Sequence, residues 1–257
     1  MIPLVDIHCH VLPGIDDGPA NLDEAIAMCR VAWDDGVRRI VATCHQGGRY
    51  QHIRADQIRA ATQTFNAELK EAGLALYVHP GAEVALSPDL CQAFGAGELM
   101  TLDDQRKYLL LEFPRGLSLD FREFVTELLQ LGVTPILAHP ERYPDLRDES
   151  GALESFIRLG CLTQVNGSSL CGGLGRTVRY CVKRWIERGM VHFVASDGHS
   201  PEKRPPIVSD AHSQICHWAG EEVADRLCGL HAMAVLQGKR ITPPPPQPAR
   251  RGWFGWW

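Results

Sequence analysis

Two histidines separated by one residue, His8 and His10, lie near the start of the chain, directly after an apolar run that contains Val5 and Ile7. If this run is a buried strand, residues two apart point to the same side, so both imidazoles face one direction. Two converging imidazoles can bind one divalent metal ion. The simpler alternative is a pair of solvated histidines in a loop, and the short motif alone leaves both interpretations open.

Residues of ligand type also follow the later apolar runs, and they favour the metal interpretation. They are Asp16 or Asp17 in the loop after the first run, His45 after the second, Glu83 after the third, Glu112 at the end of the fourth, His139 at the end of the fifth, and Asp197 with His199 at the end of the seventh. Each one alone is equally consistent with a structural role, such as capping a turn or a helix. Spacing does not choose between Asp16 and Asp17.

Together these residues make nine imidazole and carboxylate groups at one end of one fold. Carboxylates packed without cations would repel one another and have raised pKa values, and bound divalent ions remove that penalty. Nine groups exceed the three or four ligands that one zinc ion needs, so two or three ions are predicted. Mixed histidine and carboxylate ligands suit manganese, iron or zinc better than calcium.

Strand-like and helix-like stretches alternate along the chain, which defines an α/β fold. Asn21, with Glu24 three residues later, predicts the capped start of a first helix, and Gly36 predicts its end. After the opening strand, we predict strands at 39–44, 74–78, 108–113, 133–138, 161–165 and 191–195, and helices after Pro206. About seven strand–helix units predict a parallel sheet buried on both faces, closed into a barrel. In such barrels the chemistry lies at the C-terminal ends of the strands.

The bulk composition is that of a soluble enzyme of 257 residues, with 45% hydrophobic residues and a formal net charge of −5. This charge gives no basic footprint for a nucleic acid. The nine cysteines include no C-x-x-C pair, which predicts reduced thiols and a cytoplasmic location. We find neither a secretory signal nor an apolar run of about 18 residues, so no membrane span is predicted.

The C-terminal residues differ in composition from the rest of the chain. Pro243–Pro246 and Pro248 predict a stiff, extended spacer, and two arginines and three tryptophans follow it. We therefore predict a barrel over residues 1–241 and a tail over 242–257. The tail is either a disordered end or a docking element for a partner, a second copy of the chain or a membrane surface.

The motif set as a whole resembles the polymerase-and-histidinol-phosphatase (PHP) family, and within it the bacterial metal-dependent protein-tyrosine phosphatases of capsule and exopolysaccharide synthesis. The resemblance extends from the first strand to about Pro206. The motifs that carry it are His8-Cys9-His10, Asp16-Asp17-Gly18-Pro19, His45, Gly81-Ala82-Glu83, Glu112-Phe113, Ala138-His139-Pro140-Glu141-Arg142-Tyr143, Ala195-Ser196-Asp197-Gly198-His199 and Arg204-Pro205-Pro206.

This resemblance implies a distorted (β/α)7 TIM-like barrel that binds three metal ions. The ligands it implies are His8, His10, Asp17, His45, Glu83, Glu112, His139, Asp197 and His199, with Arg142 and Arg204 as phosphate-binding arginines. Only the match to the family's Asp-Asp-Gly-Pro motif favours Asp17 over Asp16 as the metal ligand. The implied substrate is a phosphotyrosine protein, the tyrosine-rich tail of a membrane-associated polysaccharide kinase. The loop Gln46–Tyr50 departs from the family pattern, and its position after His45 suggests that it lines the substrate pocket.

The hypothesis for the reaction is direct attack of a metal-bound hydroxide on phosphorus. A cysteine nucleophile of the Cys-x5-Arg type is absent, as is the Asp-x-Asp-x-Thr motif of an aspartyl phosphoenzyme. Three alternatives stay open. They are another PHP activity such as histidinol-phosphate phosphatase, an amidohydrolase-type C–N hydrolase, which also begins with His-x-His, and a non-catalytic protein that binds a phosphotyrosine tail. Oligomerisation is also open.

Overall fold

Seven parallel strands follow one another in chain order in a single sheet, and helices connect them on the outside. The computed structural model describes residues 2–114, 121–147 and 151–248. The strands are β1 (Leu4–Cys9), β2 (Val37–Gln46), β3 (Tyr77–Ala85), β4 (Tyr108–Glu112), β5 (Thr134–Ala138), β6 (Leu162–Asn166) and β7 (Phe193–Ala195). The helices are α1 (Leu22–Asp34), α2 (Ala55–Glu71), α3 (Leu90–Ala96), α4 (Arg122–Gln130), α5 (Pro144–Arg147), α6 (Ala152–Leu159), α7 (Gly167–Leu170), α8 (Arg176–Glu187), α9 (Ser209–Ala219), α10 (Glu221–Asp225) and α11 (His231–Leu236), with a π-helical turn at Arg226–Leu230.

The sheet closes where β7 approaches β1. The backbone N–H of Asp197 donates to the carbonyl of His8 at 2.8 Å, and that of His10 donates to the carbonyl of Gly198 at 2.8 Å. On the same seam, the buried Asp6 carboxylate accepts hydrogen bonds from the backbone and hydroxyl of Ser196. The predicted barrel of seven parallel strands is therefore confirmed, and its seam joins the first strand to the last.

Alternate residues of each strand pack into two different apolar layers, as a sheet covered on both faces requires. In β4, Leu110 points into the barrel with Ile7 and Phe193, whereas Leu109 and Leu111 belong to the layer between the sheet and the helices. Residues of α11 join the inner layer as well. This apolar filling fixes the strands, so that the side chains at their C-terminal ends have defined positions.

The third strand lies further along the chain than its sequence predicts. We expected a strand over 74–78, and the Pro80-Gly81 pair that follows it has the composition of a turn. The structure instead has β3 over Tyr77–Ala85, paired along most of its length with β2. A Cβ atom at Gly81 would lie 2.5 Å from a side-chain carbon of Val41, so glycine allows the two strands to approach. As a result, Glu83 lies inside the strand rather than after it.

Two other local predictions can be compared with the structure. Asn21 caps α1 as expected, since its side chain accepts a hydrogen bond from the backbone N–H of Glu24 at 3.0 Å. The predicted spacer is attached near its end, where Gln247 exchanges two 2.8 Å hydrogen bonds with Arg188. Residues 249–257, which carry the predicted tryptophan-rich end, lie outside the described residues. Among the residues that are described, no helix is long and apolar enough to span a membrane.

Candidate metal centre

The C-terminal ends of the strands bring all nine predicted ligand residues into one cluster. Each strand end places its polar residue on the same side of the barrel, above the apolar filling. The side chains fall into four groups whose nitrogen and oxygen atoms lie within 4.8 Å of one another: His8–Glu83–His139, His8–His10–Asp197, His10–Asp17–His45–His199 and His45–Glu83–Glu112. A cavity of about 380 Å³ opens over this cluster.

The two inner groups are almost completely buried. Nε2 of His139 lies 2.8 Å from Oε1 of Glu83, and Nε2 of His8 lies 3.4 Å from Oε2 of the same carboxylate. Nε2 of His8 is also 3.5 Å from Oδ1 of Asp197. Two ligand atoms at about 2.1 Å from one tetrahedral ion are about 3.4 Å apart. The spacing of the inner groups therefore fits a shared cation.

The two outer groups are more exposed to the cavity. Nε2 of His45 lies 3.4 Å from Oδ1 of Asp17, and Nε2 of His199 lies 3.6 Å from the same oxygen. Nδ1 of His45 faces Glu83 at 3.2 Å and Glu112 at 3.8 Å. The side chain of Asp17 is 44% exposed, against 1% for that of Glu83. The outer groups thus lie where a substrate in the cavity can reach them.

The structure shows which of the two neighbouring aspartates, Asp16 or Asp17, faces the cluster, a question that sequence spacing alone left open. Asp16 points away from the cavity, and its carboxylate accepts hydrogen bonds from Nδ1 of His10 at 2.7 Å, from the backbone of His45 at 2.9 Å and from that of Gly18 at 3.0 Å. Burial would raise the pKa of Asp16, but the His10 contact outweighs it and the pKa falls to about 2. Asp16 is an outer support for His10, whereas Asp17 faces the cluster.

The carboxylates and histidines of the cluster shift one another's pKa values. Burial alone would lower the pKa of His10, but hydrogen bonds to Asp16 and Glu83 outweigh burial and raise it to about 10. Burial likewise opposes ionisation of Glu83, yet the surrounding histidines hold its pKa well below the usual value. Glu83 therefore stays charged, which is the state of a carboxylate that binds a cation.

Two of the clustered residues have unusual backbone conformations. His139 has φ of 32° and Asp197 has φ of 54°, both in the left-handed region that residues other than glycine rarely adopt. Such conformations cost about 1–3 kcal/mol each and concentrate at functional sites. His139 directly follows the end of β5, and Asp197 lies two residues after the end of β7. The left-handed turn directs each side chain into the cluster rather than along the strand.

Strand β6 contributes no predicted ligand, but two of its amides connect residues of the cluster. Nδ1 of His8 donates to Oε1 of Gln164 at 2.8 Å, and Nε2 of Gln164 donates to Oδ1 of Asn166 at 3.0 Å. Asn166 in turn donates to Oδ2 of Asp197 at 2.7 Å. This chain fixes the tautomer of His8, because a proton on Nδ1 leaves the lone pair of Nε2 directed at the cluster. The sequence analysis did not identify this pair, although its i, i+2 spacing on a strand was visible.

Replacing Gln164 with methionine is expected to weaken metal binding about 10–100-fold, because a buried acceptor that orients His8 is lost. Titration of metal-stripped protein with Mn²⁺ measures this effect. The matched control is Gln105→Met, since Gln105 bonds the carbonyl of Leu236, away from the cluster. Equal Mn²⁺ affinities for Gln164→Met and the control would contradict an orienting role for the amide.

The two arginines of the resemblance line the cavity beside the cluster. A guanidinium nitrogen of Arg142 lies 2.6 Å from Oδ2 of Asp197, and one of Arg204 lies 2.8 Å from the same oxygen. Burial would raise the pKa of Asp197, but His8, His139 and Arg142 hold it below the usual value. Each arginine thus has one donor on Asp197 while its side chain borders the cavity.

The family follows from comparison with known proteins. The family profile described as capsular polysaccharide synthesis, CpsB/CapC, matches residues 4–237. The chain belongs to the CpsB/CapC family. This CpsB/CapC chain is 32% identical over 249 residues to the tyrosine-protein phosphatase YwqE of Bacillus subtilis (strain 168), and the alignment covers 96% of this chain and 97% of YwqE.

Solved structures agree with this placement of the CpsB/CapC chain. One comes from work on YwqE of Bacillus subtilis and CpsB of Streptococcus pneumoniae, described as unique metal-dependent tyrosine phosphatases. The structure from that work matches this chain with a TM-score of 0.90 at 30% sequence identity. The match covers 96% of this chain and 100% of the matched chain. Dihydropyrimidinase of Brevibacillus agri reaches a TM-score of 0.53 at 10% identity, covering 91% of this chain and 70% of its own. The second likeness shows the barrel fold alone and gives no support to C–N hydrolysis.

Proposed function

We propose that this chain is a metal-dependent phosphotyrosine-protein phosphatase that acts in capsule or exopolysaccharide synthesis. The observation that carries the proposal is the convergence of nine imidazole and carboxylate side chains in one cluster, under a cavity of about 380 Å³ that two arginines also line. The names of the CpsB/CapC relatives support it, since YwqE is called a tyrosine-protein phosphatase.

The proposed metal ligands are the nine clustered residues. They are His8, His10, Asp17, His45, Glu83, Glu112, His139, Asp197 and His199. Their nitrogen and oxygen atoms suit two or three ions of manganese, with iron or zinc as the alternatives. Such ions, when bound, supply a water of lowered pKa and neutralise charge on the phosphate. Glu83 belongs to two of the four groups, so its carboxylate would contribute to both when they bind ions.

Arg142 and Arg204 are the proposed phosphate-binding residues. A guanidinium presents its donors in a planar fork that matches two phosphate oxygens. Both side chains border the cavity with one nitrogen on Asp197, which holds them in place before substrate arrives. Phe113 and Tyr50 line the same cavity and offer apolar surface to the ring of a phosphotyrosine. A phenol leaves with a pKa of about 10, so it needs less acid assistance than an aliphatic alcohol.

The proposed physiological substrate is the tyrosine-rich tail of a membrane-associated polysaccharide kinase. The proposed compartment is the cytoplasm, and its support is that all nine cysteines are free thiols. Burial raises the pKa of several of them, including Cys29 to about 12, which leaves these thiols unreactive. None of the nine cysteines lines the cavity over the cluster, so cysteine chemistry has no part in the proposed reaction.

The test is phosphate release from a phosphotyrosine peptide, p-nitrophenyl phosphate and histidinol phosphate with added Mn²⁺, before and after a chelator. We expect chelator-sensitive hydrolysis of the two aryl phosphates and little of histidinol phosphate. Preference for histidinol phosphate would instead assign the other PHP activity. Absence of chelator-sensitive release from all three substrates would refute the phosphatase proposal.

A further inference from the structure

The five histidines of the cluster are not held in the same way. The rings of His8, His10 and His199 each have a second nitrogen bonded outside the set of proposed ligand atoms, to Gln164, Asp16 and the carbonyl of Asp197. Such an outer hydrogen bond fixes the plane and the tautomer of a metal-binding imidazole.

His45 lacks such an outer hydrogen bond among the described residues. Its Nε2 faces Asp17 and its Nδ1 faces Glu83 and Glu112, all three of which are proposed ligands themselves. His139 is similar, because its Nδ1 is buried without a hydrogen-bond partner in the described part of the chain. Among the described residues, no hydrogen bond from outside the set of proposed ligands therefore fixes the planes of these two rings.

A tyrosine lies nearly parallel to each of these two imidazoles. The ring of Tyr50 lies 4.9 Å from that of His45 with an angle of 9° between the planes. The ring of Tyr143 lies 6.2 Å from that of His139 at 20°. The Tyr50–His45 pair has the shorter distance between ring centres and the smaller angle between ring planes. His45 is also more exposed than His139, so the orientation of its ring depends more on the stacked tyrosine.

The local chain is shaped to place Tyr50 there. The backbone N–H of Tyr50 donates to the carbonyl of Gly47 at 2.9 Å, which closes a tight turn after β2. Gly47 and Gly48 have φ of 82° and 55°, a conformation that favours glycine. The turn returns the chain over His45, and the backbone N–H of Ile53 holds it by donating to the carbonyl of Tyr50 at 3.0 Å.

Arg49 ties the same ring to a second proposed ligand. Its guanidinium carbon lies 4.7 Å from the centre of the Tyr50 ring, within the range of a cation–π contact. One of its nitrogens lies 3.3 Å from Oδ2 of Asp17. The dipeptide Arg49-Tyr50 therefore contacts both His45 and Asp17, which belong to the most exposed of the four groups.

We propose that Tyr50 is a positioning residue for His45, which it holds by stacking where the neighbouring histidines rely on a hydrogen bond, and that Arg49 supports it. This inference rests on the proposed metal-binding role of His45 and Asp17. Through His45, the Gln46–Tyr50 loop sets the affinity of the metal position nearest the cavity. The ion at that position is the one most directly accessible to an incoming phosphate.

The experiment is a titration of metal-stripped, full-length protein with Mn²⁺, read by the electron paramagnetic resonance of the free ion, so no turnover is needed. We expect Tyr50→Leu and Tyr50→Ala to raise the dissociation constant of the weakest-bound ion about 10–100-fold while the tighter binding is retained. Tyr50→Phe should keep the wild-type constant, because stacking uses the ring face and not the hydroxyl.

Two features of the design separate positioning from a loss of stability. Tyr50→Leu preserves apolar packing, so its melting temperature in the stripped state should match that of wild type even if the alanine variant is destabilised. The matched control is Tyr77→Ala, which removes a tyrosine packed 4.7 Å from the ring of His79 at the start of β3, far from the cluster. It should leave Mn²⁺ binding unchanged.

The outcomes that overturn the inference are distinct from failure of the proposed function. Wild-type Mn²⁺ affinity in Tyr50→Leu, or an equal loss in Tyr50→Phe, would show that the ring face does not position His45. A wild-type protein that binds Mn²⁺ but releases no phosphate would refute the phosphatase and leave the inference intact. A wild-type protein that binds none of Mn²⁺, Fe²⁺ and Zn²⁺ would refute both.

Discussion

Replacing Glu83 with glutamine is expected to abolish most of the activity, with a fall in kcat on p-nitrophenyl phosphate of about a thousandfold or more. The carboxylate lies within 3.4 Å of ring nitrogens of His8, His10, His45 and His139, and no other side chain of the cluster contacts as many of them. Glutamine has the same shape but lacks the charge, and its NH2 group cannot bind a cation. Loss of the ion removes the water of lowered pKa on which the proposed reaction depends.

Metal content and rate should fall together in this variant. Elemental analysis of the purified protein gives the ions per chain, and steady-state kinetics with added Mn²⁺ gives kcat. The matched control is Glu202→Gln, which alters an exposed glutamate near the cluster that belongs to none of the four groups. Full metal content and full kcat in Glu83→Gln would contradict the assignment of Glu83 as a ligand.

Replacing Arg142 or Arg204 with alanine is expected to lower kcat/KM for p-nitrophenyl phosphate about 10²–10³-fold, because a donor aimed at the developing phosphate charge is lost. Lysine at either position should restore only part of this, since it keeps the charge but not the planar fork. Arg59→Ala is the control, because that exposed arginine pairs with Asp104 and does not border the cavity over the cluster.

A second measurement distinguishes the two roles that the structure allows for these arginines. Both contact Oδ2 of Asp197, so their removal could act through this carboxylate alone. If they bind phosphate, the alanine variants retain their metal and the inhibition constant of inorganic phosphate rises. If they only hold Asp197, metal content falls and phosphate inhibition of the metal-loaded fraction stays at the wild-type value, which would contradict the proposed role.

The sequence predicted the barrel and the convergence of the proposed ligand side chains, because both depend on local patterns. The apolar runs marked the strands, and His8 and His10 share a face simply because they are two residues apart. The third strand was placed wrongly because its Pro80-Gly81 pair has the composition of a turn. In the folded sheet this segment pairs with β2 and Gly81 lies close to Val41, which are tertiary contacts that the local sequence does not show.

The supporting residues of the site were much harder to predict. The separation of Asp16 from Asp17 depends on a 2.7 Å contact with His10, which is a tertiary contact. Gln164 and Asn166 stand two residues apart on β6, but amides occur at many buried positions and carry no charge that would have marked them as functional. Tyr50 follows a Gly-Gly turn, and no local rule states that this turn brings a phenol ring parallel to His45.

The seam between β1 and β7 has a consequence for the order of events during biosynthesis. Asp197 and His199, which are proposed to bind the ions together with His8 and His10, are translated almost two hundred residues later. A nascent chain still attached to the ribosome therefore lacks the proposed ligands Asp197 and His199 until most of the polypeptide has emerged. Complete loading of the proposed site with cations therefore requires synthesis through His199, and premature termination before His199 yields a product without a complete binding site.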